Sequence, residues 1–537
     1  MTPTTEATTL PLLLRAAAQA WPDRTAASFP GETVTFGGLW AGASRMAAAL
    51  AAQGVAPGEH VGLLMPNSIR LLETFFGLSL IGAIPVPLNT RYRADELPYA
   101  VEHADLVGIV SLAESTRSNA GEVIDYVARL AEALPGLRSQ PAGRIALPEA
   151  PRLRFVMALG DRDEGWITSL PAKMPGDDDW PLSRLQAARP QDAATLLYTS
   201  GTTSRPKGVM LTHRALMASA LGASVERLGL GRDDVIWNPA PMCHVSAFVT
   251  LLGVLMTGAE YLSASHFDPE ITCEHLAARR ATIAFANFPA FYFGLDPVMT
   301  RKNLPLDSLR IVTVAAAPPE VERIRGIFPS ALQLSVTGST ELSGTICVNT
   351  PDDTPAQRAE TAGPPIRGVE VSIRNPETLE RLPAGAIGEI WVRGTCLLDR
   401  YYRDPASPLT GAPDPGWFWT ADLGTLDDGG RLAFRGRLKD MLKVGGENVS
   451  AAEIETFLLR HPAVSVAQVV AAPDQRLGEV PAAFIELAPG RTASAEEIIA
   501  YCRSGIAAYK VPRIVRFVTE WPTSTTKIQK DRLRAML

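Results

Sequence analysis

Alanine-rich segments with apolar residues at helical spacing alternate along the chain with short, unbroken apolar runs. Leu39 to Gln53 is a helix of this kind, and Val61 to Met65, Ile109 to Ser111 and Ile311 to Ala316 are runs of the second kind. A strand covered on both faces reads as a continuous apolar run, and its alternation with helices predicts an α/β fold with largely parallel sheets. From about Leu423 the pattern changes to short strands and tight turns, marked by Gly429-Gly430, Gly436 and Gly445-Gly446. A compact βαβ-like tail follows, with strands V-S-V-A-Q-V-V (464–470) and A-A-F-I-E-L (482–487) and a helix from about Ser494 to Arg503. A boundary near Arg437 to Asp440 divides the chain into a large N-terminal domain of stacked α/β layers, 1–436, and a small α+β C-terminal domain, 437–537. Between about Glu114 and Pro190 the chain is rich in Pro, Arg and Asp and its periodicity is weak, so no element is assigned there.

A chain of 537 residues exceeds one ordinary core, and with 46% hydrophobic and 20% charged residues it has the composition of folded protein. The net charge of −6 and the absence of a basic run give a nucleic-acid partner no electrostatic support. The most apolar stretch, Ser246 to Ala259, falls short of the roughly 20 residues that span a bilayer. With no positively charged leader at its start, the chain reads as a cytoplasmic enzyme without a membrane span. Five scattered cysteines form no C-x-x-C pair, which argues against a disulfide framework or zinc site and for small buried side chains.

The most informative stretch is L-Y-T-S-G-T-T-S-R-P-K-G-V at 197–209. An apolar run ends in consecutive small or hydroxylated residues, Thr199, Ser200, Gly201, Thr202, Thr203 and Ser204, before a Pro-Lys-Gly turn. Small side chains let the backbone N–H groups of Ser200 to Thr203 approach phosphate oxygens, the hydroxyls donate further, and Lys207 adds a compact positive charge. The pattern G-x-x-x-x-G-K-[S/T] is absent, so this is not a Walker loop.

This stretch resembles the phosphate-loop signature of the superfamily of acyl-CoA synthetases, peptide-synthetase adenylation domains and luciferases. Further segments resemble family motifs in family order: L-I-G-A-I-P-V-P-L-N (80–89), G-S-T-E (338–341), G-E-I-W-V-R-G (388–394), W-T-A-D-L-G (419–424), G-R-L-K-D-M-L-K-V-G-G-E-N (436–448) and P-T-S-T-T-K-I-Q-K (522–530). The resemblance covers roughly residues 10 to 535 and implies an ATP-dependent, AMP-forming ligase, closest to the acid–CoA ligase branch. Such an enzyme activates a small carboxylic acid as its acyl-adenylate, with ATP and Mg²⁺, and passes the acyl group to coenzyme A. Chemistry supports the sequence of steps, since a carboxylate must first gain a good leaving group before a thiol can displace it.

Residue by residue, Glu341 is a hard oxygen ligand suited to Mg²⁺, and Thr340, within Gly338-Ser339-Thr340, can hydrogen-bond the α-phosphate. Asp422 can accept from both ribose hydroxyls, and Arg437 can add a charged donor there. The resemblance places Ala316 and Thr337 beside the adenine and makes Lys527 the adenylation lysine. It makes Lys439 the hinge of a mobile C-terminal lid, and Gly445-Gly446 the wall of the acceptor's tunnel. By the same resemblance His244, in P-A-P-M-C-H-V-S-A-F, would border the acyl pocket near the reacting carboxylate, and Asn287 and Phe288 would belong to the pocket segment F-A-N-F-P-A-F-Y-F (285–293). The expected partners are thus a small-molecule carboxylic acid, ATP and coenzyme A, with a homodimer possible.

Five departures from the family pattern, six residues in all, lie around the nucleotide: Ser204, Ala315-Ala316, Thr337, Ala421 and Thr526. Glycines usually stand at all but Thr337, where an aromatic residue is usual. Lys207, Glu341, Asp422, Arg437 and Lys527 are nevertheless all present, which predicts an active, divergent member. An amine, a carrier-protein thiol or another small nucleophile remains an alternative acceptor, and a non-catalytic nucleotide-binding protein is the rival from a different class.

Overall fold

The computed structural model describes residues 6–92, 96–117, 122–162, 164–170, 187–199, 206–404, 414–444, 447–524 and 527–537. Among the described residues the largest sheet has eight strands, in the spatial order Gly344–Val348, Leu332–Ser339, Ile311–Val314, Ile283–Phe285, Val235–Trp237, Glu260–Leu262, Thr25–Phe29 and Glu32–Thr35. All run parallel except the two edges, Gly344–Val348 and Glu32–Thr35. The order holds a reversal. From Val235–Trp237 the chain crosses to Glu260–Leu262 on one side, then returns to Ile283–Phe285 on the other, and the loops leaving the two middle strands part from each other there.

The apolar run Ser246 to Ala259 becomes the crossover helix Ser246–Thr257, buried along almost its whole length. Gly258 ends it in the left-handed conformation at φ 77°, and a Cβ there would sit 2.7 Å from the Trp21 ring, so both backbone and packing require glycine. No helix among the described residues is long and apolar enough to cross a membrane.

A second parallel sheet of five strands has the order Ile84–Pro87, His60–Leu64, Leu106–Leu112, Phe155–Leu159 and Ile167–Ser169. One continuous core joins Val61, Leu63, Val107 and Val110 of this sheet to Ile236, Ile283 and Leu334 of the larger one. The helices Leu10–Ala20, Phe36–Ala52 and Ile69–Leu80 fill the layer between them. The weakly periodic segment after Glu114 therefore contains two sheet strands, a hairpin (Glu114–Arg117 with Glu122–Asp125) and the helix Tyr126–Ala133. Its strands are three to five residues long, too short for alternation or a helical repeat to register.

A four-stranded antiparallel sheet follows, formed by Val369–Arg374, Gly388–Gly394, Phe418–Leu426 and Leu432–Arg437. After the single 3-10 turn Leu438–Asp440 the chain enters another sheet at Met441–Val444. The two expected strands and the helix of the βαβ-like tail are present in their expected order. Val464–Asp474 and Gly478–Leu487 form an antiparallel hairpin, and the βαβ unit is Gly478–Leu487, helix Ala495–Gly505 and Ile514–Phe517. The Asp474 carboxylate accepts from the N–H groups of Arg476 and Leu477, both at 2.9 Å, and so closes the tight turn that makes the hairpin. The third strand, I-V-R-F, lacks an apolar run because its end is exposed.

Candidate functional site

The crevice beyond the carboxyl ends of the large sheet collects His244, Asn287, Phe288, Ala316 and Thr337 to Glu341, because side chains on loops there face neither sheet surface. Ile283–Phe285 leads directly into Asn287 and Phe288. The Thr313 hydroxyl lies 3.3 Å from Asn287 Oδ1, and the Ala315 N–H donates to the Asn287 carbonyl at 3.0 Å. Asn287 thus ties its own loop to the one carrying Ala316, which is half-buried between strand Ile311–Val314 and helix Pro318–Ile327. Of the five aromatics in 285–293, Phe285 and Tyr292 are core residues and Phe291 and Phe293 pack against the core. Phe288 alone sits half-buried at the loop, where it precedes helix Pro289–Lys302.

Across the reversal lies the loop that carries His244. It is fixed from the smaller sheet by Asn67, whose amide donates to the Ala240 carbonyl at 2.9 Å and the Ser263 hydroxyl at 3.1 Å and accepts from the Met242 N–H at 2.9 Å. The His244 N–H donates to the Pro241 carbonyl at 2.8 Å, in the turn just before helix Ser246–Thr257. Burial pushes the neighbouring Cys243 thiol up to about 12, so it stays protonated at neutral pH.

The strand Leu332–Ser339 delivers Thr337, Gly338 and Ser339, and the 3-10 turn Thr340–Leu342 delivers Thr340 and Glu341. Pairing with Gly344–Val348 slips between Thr337 and Gly338. At Gly338 a Cβ would lie 1.7 Å from the Gly344 carbonyl oxygen, so no side chain fits. Glu341 Oε1 accepts from the Tyr401 hydroxyl at 3.1 Å.

Thr199 and Lys207 face each other across the antiparallel pair Ala193–Thr199 and Lys207–Thr212. Arg400–Tyr401 extends this ladder, pairing Tyr401 with Val209. The Lys207 ammonium lies 4.7 Å from the centre of the Tyr401 ring and 3.4 Å from Asp404 Oδ2. Tyr401 therefore joins the base of the expected phosphate loop to the expected metal ligand. Ser200, Gly201, Thr202, Thr203 and Ser204 lie outside the described residues.

Asp422 and Arg437 are cross-strand partners, with Arg437 Nε 3.4 Å from Asp422 Oδ1. Ala421, just before Asp422, is in the left-handed region at φ 56°, which explains why glycine suits the position. The buried Glu389 holds this turn, accepting from the Ala421 N–H at 3.2 Å and from the Trp391 indole at 2.9 Å. Burial raises its carboxyl above the usual range.

Lys439 lies exposed in the turn between the two antiparallel sheets. Gly445, Gly446 and Thr526 fall outside the described residues. The backbone of Lys527 begins a short strand paired with Thr523–Ser524, immediately before helix Lys530–Arg534. Sequence reasoning missed Tyr401, Asp404, Asn67 and Glu389. A carboxylate inside the apolar strand G-E-I-W-V was the available signal for Glu389, since an unpaired charge is costly to bury. For Tyr401 it was the aromatic pair within D-R-Y-Y-R-D.

Among the described residues no group of three or more His, Cys, Asp or Glu could hold a metal by itself. A cation carried in by phosphates needs only one or two protein carboxylates, and Glu341 fits that role as an oxygen donor at the crevice.

Known proteins share this fold. The chain is 33% identical over 535 residues to a 3-[(3aS,4S,7aS)-7a-methyl-1,5-dioxo-octahydro-1H-inden-4-yl]propanoyl:CoA ligase of Mycobacterium tuberculosis (strain ATCC 25618 / H37Rv), covering 98% of this chain and 99% of that one. Its structure is similar to that of the anthranilate CoA ligase AuaEII in complex with anthranoyl-AMP, with TM-score 0.83, 25% identity, and 98% and 97% of the two chains covered. It is similar also to the amide bond synthetase McbA from Marinactinospora thermotolerans, with TM-score 0.81, 27% identity, and 98% and 99% covered. The AMP-binding enzyme family matches residues 14–402 and its C-terminal domain matches 453–527, a span that takes in the crevice, the phosphate loop and the tail ending at Lys527, and the chain belongs to that family.

Proposed function

We propose that this protein is an ATP-dependent, AMP-forming acid–CoA ligase. The observation that carries the reading is the crevice at the reversal of the large sheet, where Glu341 is linked through Tyr401 to Lys207 at the base of the phosphate loop. In the first half-reaction a carboxylate oxygen attacks the α-phosphorus of ATP, the bond to the β-phosphate oxygen breaks, and pyrophosphate leaves. In the second, the thiol of coenzyme A attacks the acyl carbon, and AMP leaves as the thioester forms and the thiol proton is lost.

The phosphate loop and Lys207 bind the β- and γ-phosphates, Asp422 and Arg437 bind the ribose, and Thr340 orients the α-phosphate. Lys527 offsets the charge that grows on the α-phosphorus. A Mg²⁺ held at Glu341 would supply further charge neutralisation at the phosphates. His244, Asn287 and Phe288 border the acid. We place a hinge at Lys439 between 1–436 and 437–537, with Gly445 and Gly446 lining the acceptor's path after rotation. The second reading, an amine acceptor, draws support from the likeness to an amide bond synthetase.

The test is pyrophosphate release across a panel of carboxylic acids, with and without coenzyme A, followed by mass spectrometry of the products. Acid-dependent pyrophosphate release with CoA thioesters as products is expected. Acyl-AMP formed without thioester on any acid overturns the CoA assignment. Lys527→Ala should lower adenylation by about 10²–10³-fold, the usual loss when a preorganised stabilising group is removed. Near-normal AMP formation by that variant sinks the role of Lys527.

A further inference from the structure

The helix Glu96–His103 carries no residue assigned above, yet two of its side chains reach the two roots of the phosphate loop. Tyr99 and His103 are four residues apart and share one helix face, their rings 5.0 Å apart. The Tyr99 hydroxyl donates to the carbonyl of Pro206, the last residue before Lys207, at 3.0 Å. His103 Nδ1 lies 2.8 Å from the hydroxyl of Tyr198, the residue before Thr199. Gly208 packs between the same groups, since a Cβ there would meet Tyr402 at 3.4 Å and the His103 ring at 3.7 Å. The far side of the helix end is tied as well. The Tyr402 hydroxyl donates to Asp105 at 2.7 Å, the Tyr402 N–H donates to the Gly208 carbonyl at 2.7 Å, and Arg403 pairs with Glu102 at 2.9 Å and Asp105 at 2.7 Å.

We propose that Tyr99 and His103 are positioning residues that clamp the entry and exit of the phosphate loop, and so set its affinity for the β- and γ-phosphates of ATP. Fixing both roots of a loop shortens the chain left to be ordered around a polyphosphate, and so removes part of the entropic cost of binding before the ligand arrives. AMP carries neither the β- nor the γ-phosphate, so the clamp acts on ATP and not on AMP. This inference rests on the reading of residues 199–207 as a phosphate loop within an ATP-using ligase.

The experiment compares the binding of α,β-methylene-ATP, with Mg²⁺, and of AMP by titration calorimetry in the full-length protein. Each lost bond is expected to raise the Kd of α,β-methylene-ATP about five- to tenfold, a hydrogen bond's usual net contribution, with AMP affinity within about twofold of wild type. Tyr99→Phe removes one oxygen and keeps the ring. His103→Leu removes the second bond, and His103→Asn restores it, because its amide occupies the place of Nδ1. Parallel weakening of both nucleotides, unchanged α,β-methylene-ATP affinity in folded variants, or failure of His103→Asn to recover what His103→Leu loses overturns the clamp. Tyr99→Phe decides the matter alone if His103→Leu does not fold. A wild-type protein that shows the expected nucleotide pattern but releases pyrophosphate with no acid overturns the ligase reading and leaves the clamp standing.

Discussion

The two parallel sheets share a plan and differ in what their carboxyl ends carry. Loops at the carboxyl end of the large sheet hold Asn287, Ala316, Thr340 and Glu341, all half-buried at the crevice. The small sheet also opens at that end, into a cavity of about 700 Å³ lined in part by Arg70, Asp161 and Arg162. There, however, the arginines are already matched, Arg70 with Glu73 at 2.7 Å and Arg162 with Asp125 at 2.9 Å. Its most buried polar loop residue, Asn67, directs its amide to the other sheet's loop rather than to the cavity. Equivalent topology thus leaves open which crevice works. One sheet presents the proposed functional groups, and the other holds their loop in place through Asn67.

The comparison breaks most sharply at Glu341. Glu341→Gln keeps the shape and removes the charge, and should lower adenylation by about 10²-fold or more while leaving the melting temperature unchanged. A loss of stability matching the loss of rate would show that Glu341 is part of the scaffold. Asn67→Leu is the complementary change. It strands the Met242 N–H and the Ala240 carbonyl in a buried place, and should cost about 3 kcal/mol in urea unfolding. Its effect on KM should fall on the acid rather than on ATP, because the loop it fixes carries His244.

The layer between the sheets supplies a pH test. The Leu10 N–H donates to His213 Nδ1 at 3.3 Å, and burial holds the His213 imidazole down at about 4. The unfolded value is about 6.5, so between these limits the unfolded chain binds more protons. Stability from this group is whole above about pH 6.5 and falls as pH drops toward about 4, a loss on the order of 3 kcal/mol. His213→Asn keeps an acceptor and removes the titration, and should flatten the decline in unfolding midpoint between pH 7 and 5. An equally steep decline in the variant would assign it to other groups. The smallest effect lies at the nucleotide turn. Ala421→Gly relieves a left-handed alanine and should raise stability by about 0.5–1 kcal/mol, after allowing for glycine's freer unfolded chain. An unchanged or lowered unfolding midpoint would mean that Glu389 has already absorbed the strain.

The sequence made the α/β class and the order of the site motifs legible because both depend on local pattern. Ile311–Val314 announces itself as an apolar run, and Lys207 stands in a run of small residues that few other structures need. The links between motifs were not legible. Tyr401 meets Glu341 from 60 residues away and Tyr99 meets Pro206 from 107, and neither separation leaves a periodic trace. The strand Ile514–Phe517 was missed for another reason, since its exposed end leaves no apolar run. At Ala421 the departure from glycine was visible, and its backbone meaning emerged only with the positive φ.

The backbone contact at Gly338 also bears on how this site can evolve. Any mutation that changes the residue drives a β-carbon toward the Gly344 carbonyl, 1.7 Å away, whatever side chain follows. A saturation library scored for activity should therefore show an all-or-none column at 338 beside a graded one at 337. Position 337 is free to vary on this ground, while its neighbour is held to glycine by a backbone clash that no side-chain change elsewhere relieves.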